Sequence, residues 1–128
     1  MSQRQNISSG SAGESLLGYS RAVRVGKHVA VAGITANAGT GPVGGNDVAA
    51  QTREIFSRIG AALKEAGGSF EDVIRTRIYL TSMSDLEAVG RIHGEVFGSI
   101  RPATAVLHVQ SLATAQLLVE IEADAVLS

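Results

Sequence analysis

The stretch AALKEAGGSFEDVIRTRIYLT at residues 61–81 contains the end of a helix, a break and a complete strand. The helix begins upstream, where Asn46 or Asp47 can supply the N-cap. Its apolar positions recur with a period near 3.6 residues, and they are Val48, Ile55, Phe56, Ile59, Leu63 and Ala66. The pair Gly67-Gly68 ends the helix, and Val73 to Leu80 is predicted to be a strand. The stretch therefore predicts a helix followed by a strand, which is a step of a mixed α and β fold.

Two strands and a loop precede this helix. The β-rich runs Arg21 to Val25 and His28 to Gly33 are separated by Gly26-Lys27, which predicts a tight hairpin. A loop rich in glycine and turn residues follows, from Thr35 to Asn46.

A second helix and two strands follow the stretch. Ser84 is predicted to cap this helix, and Gly98 to end it. Its apolar stripe consists of Leu86, Val89, His93, Val96 and Phe97. Pro102 then opens a strand that runs to about Val109, and Leu117 to Val126 forms the last strand.

The predicted element order is β-β-α-β-α-β-β, in one α+β domain over residues 15–128. Right-handed crossovers place both helices on one face of the sheet, which gives an open-faced sandwich. The polar residues 1–14 are predicted to form a flexible tail. Because this segment has no apolar core region, no signal peptide is expected.

Alternation along three strands divides the predicted sheet into two faces. The apolar face, expected beneath the helices, carries Ile74, Ile78, Leu80, Ala103, Ala105, Leu107, Val109, Val119, Ile121 and Ala123. The mixed face carries Arg75, Arg77, Tyr79, Thr104, Val106, His108, Leu118, Glu120, Glu122 and Asp124. This mixed face is either a solvated surface with cross-strand Arg–Glu pairs or a subunit interface with a polar site at its edge. Its apolar members favour the interface.

Composition excludes several classes of function. The chain has 128 residues and no Cys, which rules out disulfides, thiolate catalysis and zinc–sulfur sites. Its 11 basic and 12 acidic residues give a net charge of -1, and aromatic residues make up 4%, so no nucleic-acid surface is expected. No apolar run is long enough to cross a membrane, and the three His residues do not follow metal-ligand spacing. We expect a cytoplasmic protein without a bound metal.

The candidate chemistry centres on Glu120, which lies inside a strand pattern. A carboxylate there must pair, accept hydrogen bonds or have a raised pKa. It can serve as a general base acting on water, or it can pair across strands with Arg75 or Arg77. His93 lies on a helix stripe and is predicted to be a packed core residue, whereas His108 on the mixed face is a candidate site residue.

Five segments together resemble the RidA/YjgF family, the reactive intermediate deaminases. They are GYSRAVRVG at 18–26, VAVAGIT at 29–35, AALKEAGGSFEDVIRTRIYLT at 61–81, RPATAVLHV at 101–109 and LVEIEADA at 118–125. The resemblance covers about residues 15–126. It implies a chorismate-mutase-like fold and a homotrimer whose sheets form a central β-barrel, with three clefts between subunits.

The resemblance also implies an activity. Well-studied members of the family hydrolyse reactive enamines and imines to 2-keto acids and ammonia without a cofactor. The family's cleft tyrosine matches Tyr19, its backbone amide donor matches Gly33, and its water-orienting glutamate matches Glu120.

Three positions depart from the deaminase pattern. The arginine that would hold a substrate carboxylate is replaced by Thr104, which has neither the charge nor the bidentate geometry. The asparagine of the second helix falls at Gly90, and a frequent cysteine falls at Val106. The chain therefore resembles a divergent, arginine-lacking branch. Arg77 on the mixed face is a candidate replacement for the missing cation.

The resemblance thus implies a cofactor-free hydrolase or deaminase for small imines, enamines or related activated nitrogen compounds. Glu120, Gly33 and Tyr19 would carry the reaction. The pocket would be lined by Thr104, His108, Arg77, Val106 and Gly90. The alternative is a non-catalytic trimer that binds a small ligand or has a regulatory role. The charge balance argues against the endoribonuclease activity sometimes ascribed to this family.

Overall fold

The computed structural model describes residues 3–128 as a single sheet with helices. The strands are β1 (Arg4–Ile7), β2 (Ala22–Val25), β3 (His28–Ile34), β4 (Val73–Leu80), β5 (Ala103–His108) and β6 (Val119–Val126). The helices are α1 (Ala12–Leu17), α2 (Val48–Glu65) and α3 (Leu86–Phe97), with short 3-10 turns at Phe70–Asp72 and Met83–Asp85. The predicted α+β class is confirmed, as are five of the strands and both predicted helices, with small shifts of their ends.

The six strands form one sheet in the order β1-β2-β3-β6-β4-β5. Strands β4 and β5 are parallel, and every other neighbouring pair is antiparallel. Helices α2 and α3 pack on one side of this sheet, which we call the helix face. The opposite side, which these two helices leave uncovered, is the open face.

The core lies between α2, α3 and the helix face. Asp47 caps α2 by accepting hydrogen bonds from the amides of Ala49 and Ala50, at 2.9 and 3.3 Å. The predicted α2 stripe is buried, except for the half-buried Val48, and it packs on alternate residues of β6 such as Ile121. Each fully buried aliphatic side chain of this kind stabilises the fold by about 1.5–3 kcal/mol relative to exposure.

The N-terminal segment differs from the predicted flexible tail. β1 pairs with β2 through the register Arg4↔Val25 to Ile7↔Ala22, and α1 begins at Ala12. The sequence pattern misses β1 because the strand is short and buries one apolar side chain, Ile7. A single buried residue is too little for a period-2 signal.

The predicted face of β5 is wrong by one residue. In the parallel pairing with β4, Thr104, Val106 and His108 lie opposite residues of the helix face. Thr104, for example, is paired with the fully buried Thr76. The residues expected beneath the helices, Ala103, Ala105 and Leu107, therefore belong to the open face. Every β5 side chain is exposed, because this strand lies at the sheet edge, so hydrophobicity alone does not fix its phase.

A bulge in β4 explains a second displaced residue. The register with β6 slips between Val73 and Arg75, which leaves Ile74 as the extra residue. Ile74 was predicted to lie on the apolar face and is instead 50% exposed.

The predicted cap of α3 is also wrong. Ser82 caps the short turn Met83–Asp85, and α3 then starts at Leu86 with Asp85 at its N-cap position. Within residues 3–128, no helix has both the length and the apolar character needed to cross a membrane.

Candidate active site

Glu120 and Gly33 form the centre of the site on the open face. Glu120 lies on β6 directly opposite Tyr79 of β4. Gly33 lies on β3 where its register with β6 is irregular, between Val31 and Ile34. A Cβ at position 33 would overlap the Glu120 Oε2 atom and the carboxyl carbon behind it. The absence of a side chain at Gly33 therefore allows the Glu120 carboxyl group to lie against the β3 backbone.

The Glu120 carboxyl group has no ion-pair partner among the described residues. Arg77 instead lies 3.5 Å from a carboxylate oxygen of Glu122 and 3.4 Å from one of Asp124. Burial, with a contribution from the Glu122 charge, raises the pKa of Glu120 above the usual glutamate range. A half-buried carboxylate with a raised pKa is suited to accept a proton from water near neutral pH. The alternative role as an ion-pair partner of Arg75 or Arg77 finds no support here.

Tyr19 reaches the same region from the end of α1. That helix terminates at Gly18, whose φ of 77° lies in the left-handed region and turns the chain toward β2. Tyr19 is 46% exposed. A cavity of about 180 Å³ is lined by Tyr19 and Gly33 and, among others, by Arg21, Thr35 and Arg58. The structure thus brings Tyr19, Gly33 and Glu120 to one region of a single chain.

A second polar group lies on the helix face, around Thr104. The Thr104 hydroxyl donates to the carbonyl of Pro102 at 3.1 Å and lies 2.8 Å from the Thr76 hydroxyl. The Thr76 hydroxyl lies 2.9 Å from Nε2 of His93 on α3. Because Thr104 donates to Pro102, it accepts from Thr76, which in turn accepts from the protonated Nε2 of His93. Burial lowers the pKa of His93, in keeping with a neutral ring in this tautomer.

The remaining predicted pocket residues belong mainly to this second group. Gly90 lies three residues before His93 and so shares its side of α3. A Cβ at Gly90 would meet no atom within 4 Å, so the space beside it is open. Val106 and His108 follow Thr104 along β5 and are exposed. Arg77, by contrast, lies on the open face with Glu120 and is held by two carboxylates.

The two groups do not meet within one chain. Glu120 lies on the open face of β6, whereas Thr104 lies on the helix face of β5, with β4 between these strands. Two strand spacings amount to about 9.6 Å, and the sheet itself separates the groups. The side chains that the sequence places on one face are therefore divided between two surfaces. One site containing both groups requires a second copy of the chain.

Sequence reasoning missed Arg21 and Arg58 as cavity residues. Arg21 immediately precedes β2, and Arg58 reaches the cavity from α2 while donating to the carbonyls of Thr35 and Asn37. The only signal in the sequence is the proximity of Arg21 to Tyr19. Among the described residues, no group of three or more His, Asp or Glu side chains is placed to hold a metal ion.

The fold and the site together define a class of protein. It is an α+β chain in which two helices cover one sheet face, and a glutamate carboxyl group lies against a glycine on the opposite face. The chain matches the model of the Endoribonuclease L-PSP family over residues 10–127. It belongs to this family, which is also called the RidA/YjgF family.

Individual relatives agree with this assignment. A crystal structure of a YjgF/YER057c/UK114 family member from Mycobacterium tuberculosis has a TM-score of 0.90 and 49% identity, covering 98% of this chain and 100% of that one. An uncharacterized protein of Streptomyces coelicolor is 41% identical, over 94% of this chain and 90% of its own length. Human 2-iminobutanoate/2-iminopropanoate deaminase is 31% identical, over 96% of this chain and 90% of its own length. The family therefore includes deaminases.

Proposed function

We propose that the protein is a cofactor-independent hydrolase that releases ammonia from small reactive imines or enamines. The observation that carries the proposal is the Glu120 carboxyl group, half-buried, without an ion-pair partner, and seated against Gly33 beside a small cavity. A carboxylate in such a place has no structural partner to satisfy, and its raised pKa suits it to proton transfer. The similarity to human 2-iminobutanoate/2-iminopropanoate deaminase supports the choice of small imines as the substrate class.

The proposed reaction needs one water molecule and one proton acceptor. Glu120 accepts a proton as the water oxygen forms a bond to the imine carbon, and the C=N electron pair moves to nitrogen. The Gly33 amide donates a hydrogen bond to the reacting group, and Tyr19 closes the cavity. Glu120 then returns its proton to nitrogen, which gives a carbinolamine. In the last step Glu120 takes the hydroxyl proton and passes it to the nitrogen, so that the C–N bond breaks, the carbonyl forms and ammonia leaves. A positioned general base of this kind contributes about 10²–10⁴ in rate.

The proposed site is completed by a neighbouring copy of the chain. Thr104, Val106 and Gly90 lie on the other side of the sheet from Glu120, so they would serve the cleft formed with the next subunit. A closed ring of three copies supplies each Glu120 with such a partner surface. His108 at the end of β5 and Arg77 on the open face would lie at the margins of this cleft.

The test is ammonia release from freshly generated imines, with and without a carboxylate, by the wild-type protein and by Glu120→Gln. Glu71→Gln, at an exposed position after the 3-10 cap, serves as the matched control. We expect about a 10²–10⁴-fold loss in Glu120→Gln and no loss in the control. Equal activity of Glu120→Gln and wild type would contradict the proposal.

The second candidate is a non-catalytic trimer that binds a small ligand. It is favoured by Thr104, which is uncharged and whose hydroxyl is already engaged by Thr76 and Pro102. A ligand bound in the cavity without turnover of any imine in the panel would support this candidate over the hydrolase.

A further inference from the structure

The cavity beside Tyr19 and Gly33 contains a half-buried arginine without an acidic partner among residues 3–128. Arg21 lines this 180 Å³ cavity and also a neighbouring one of about 460 Å³. Within the described residues its guanidinium group takes part in no ion pair and no side-chain hydrogen bond. A partly buried cation left without a counter-charge is costly, and such groups are usually paired.

The charged groups around Arg21 do not neutralise it. Arg58 lines the same cavity, but it is engaged by Glu54 at 2.7 Å. Glu14 acts on Arg21 only at a distance, since its carboxylate accepts hydrogen bonds from Ser8 and Ser9. Burial, followed by the Arg58 charge, lowers the pKa of Arg21. The cavity wall therefore presents a positive charge that the protein itself leaves uncompensated.

We infer that Arg21 binds the carboxylate of a small anionic ligand in this cavity, in place of the arginine that is missing at position 104. This inference rests on the proposed function and specifies its substrate as a small 2-imino acid, whose hydrolysis product, a 2-keto acid, keeps the same carboxylate. A guanidinium group can hold a carboxylate by two parallel hydrogen bonds, which Thr104 cannot do. The cavity of about 180 Å³ is larger than a single water molecule needs, so it has room for a small ligand.

The test measures binding without turnover, by titration calorimetry of the intact protein with 2-oxobutanoate and with its neutral methyl ester. The variants are Arg21→Gln and Arg21→Lys, with Arg91→Gln on the exposed side of α3 as the matched control. We expect Arg21→Gln to raise the Kd for 2-oxobutanoate about 10–100-fold and to abolish the preference for the acid over the ester. The Kd of Arg21→Lys for 2-oxobutanoate should lie between those of the wild type and Arg21→Gln. Arg91→Gln should bind 2-oxobutanoate like the wild type.

Two results would overturn the inference. One is an unchanged Kd for 2-oxobutanoate in a folded Arg21→Gln variant; the other is no binding of 2-oxobutanoate by the wild-type protein at millimolar concentration. Failure of the hydrolase proposal gives a different result. In that case 2-oxobutanoate would still bind in a way that depends on Arg21, but no imine would release ammonia. If Arg21→Gln releases ammonia from a carboxylate-bearing imine as fast as the wild type does, this result would contradict the carboxylate site but not the hydrolase proposal.

Discussion

At the scale of single residues, the contact between Gly33 and Glu120 links the backbone of β3 to the candidate general base. A Cβ at position 33 would displace the end of the Glu120 side chain, which is flexible, and would leave the backbone in place. The φ angle at Gly33 is not in the left-handed region, so the glycine is needed for space and not for conformation. The absence of a side chain at this residue therefore sets the position of the Glu120 carboxyl group more than it sets the local backbone conformation.

Gly33→Ala is expected to lower activity through Glu120 while leaving the fold intact. We predict a loss in kcat/KM of about 10–100-fold, because a displacement near 1 Å can cost about 10² in rate. Thermal unfolding should remain close to that of the wild type. Gly94→Ala, at an exposed position of α3 where a Cβ would meet no atom within 4 Å, is the matched control and should leave kcat/KM nearly unchanged. A fully active Gly33→Ala variant would contradict the placement of the Glu120 carboxyl group as functional.

The pH dependence of activity should report the pKa of Glu120. The protonated carboxyl group cannot accept a proton from water, so kcat/KM should fall as the pH decreases through this raised pKa. Glu122→Gln removes the like charge that contributes to the shift, and the acid limb should then move to lower pH. The measurement is kcat/KM against pH for both proteins, with Glu71→Gln as the control. An acid limb that stays in place or moves to higher pH would show that Glu120 does not control it.

At the scale of elements, one buried glutamine ties α2 to the loops around it. Gln51 is fully buried, and its amide donates to the carbonyls of Gly45 and Gln116 at 2.8 and 3.0 Å. Its Oε1 atom accepts from the amide of Leu118 at 3.0 Å. These bonds connect the start of α2 with the glycine-rich loop and with the segment that leads into β6. They therefore help to set the position of the strand that carries Glu120.

Gln51→Leu is expected to destabilise the protein by about 2–4 kcal/mol, because three backbone groups lose their partner in a buried place. Chemical denaturation of the variant and the wild type measures this difference. Gln116→Leu, at an exposed side chain, is the control and should change stability by about 0.5 kcal/mol or less. A stability of Gln51→Leu equal to that of the wild type would mean that these bonds contribute no net stability.

The elements that could be predicted from the sequence are those with many apolar residues in a clear period. Helix α2 has a long buried stripe, and the alternation of β6 follows from Val119, Ile121 and Ala123. The phase of β5 could not be predicted, since its side chains are all exposed in one chain and both phases contain apolar residues. Strand β1 buries only Ile7, and the bulge at Ile74 depends on pairing with β6, which is distant in sequence.

At the scale of the whole molecule, the open face is the part of the fold that a monomer leaves unexplained. It exposes Leu107 and Val126 by more than two fifths of their surface, and it carries Tyr79 beside Glu120. Exposed apolar side chains within a rim of charged ones are typical of a surface between copies. Sequence reasoning could suggest this surface, but it could not show that Thr104 lies on the opposite face from Glu120.

We expect the protein to form a trimer through the open face. Light scattering at micromolar concentration should give the mass of three chains, and Val126→Glu should shift the mass toward that of one chain, because the added charge would be buried. Val43→Glu, at an exposed loop position away from the sheet, is the matched control and should remain trimeric. A wild-type mass of a single chain would exclude the proposed cleft.

The central claim is that each site combines Glu120 of one chain with Thr104 and Val106 of another. Its most direct test is to co-express Glu120→Gln with Val106→Trp, two variants that each damage one half of the cleft. Each variant carries a different affinity tag, and trimers purified through both tags contain both variants. They should recover about a third of the wild-type activity, since one of the three clefts in each such ring combines an intact Glu120 with an intact Val106. Each variant alone should be inactive. Mixed oligomers that contain both variants and show no recovery would contradict a site shared between chains.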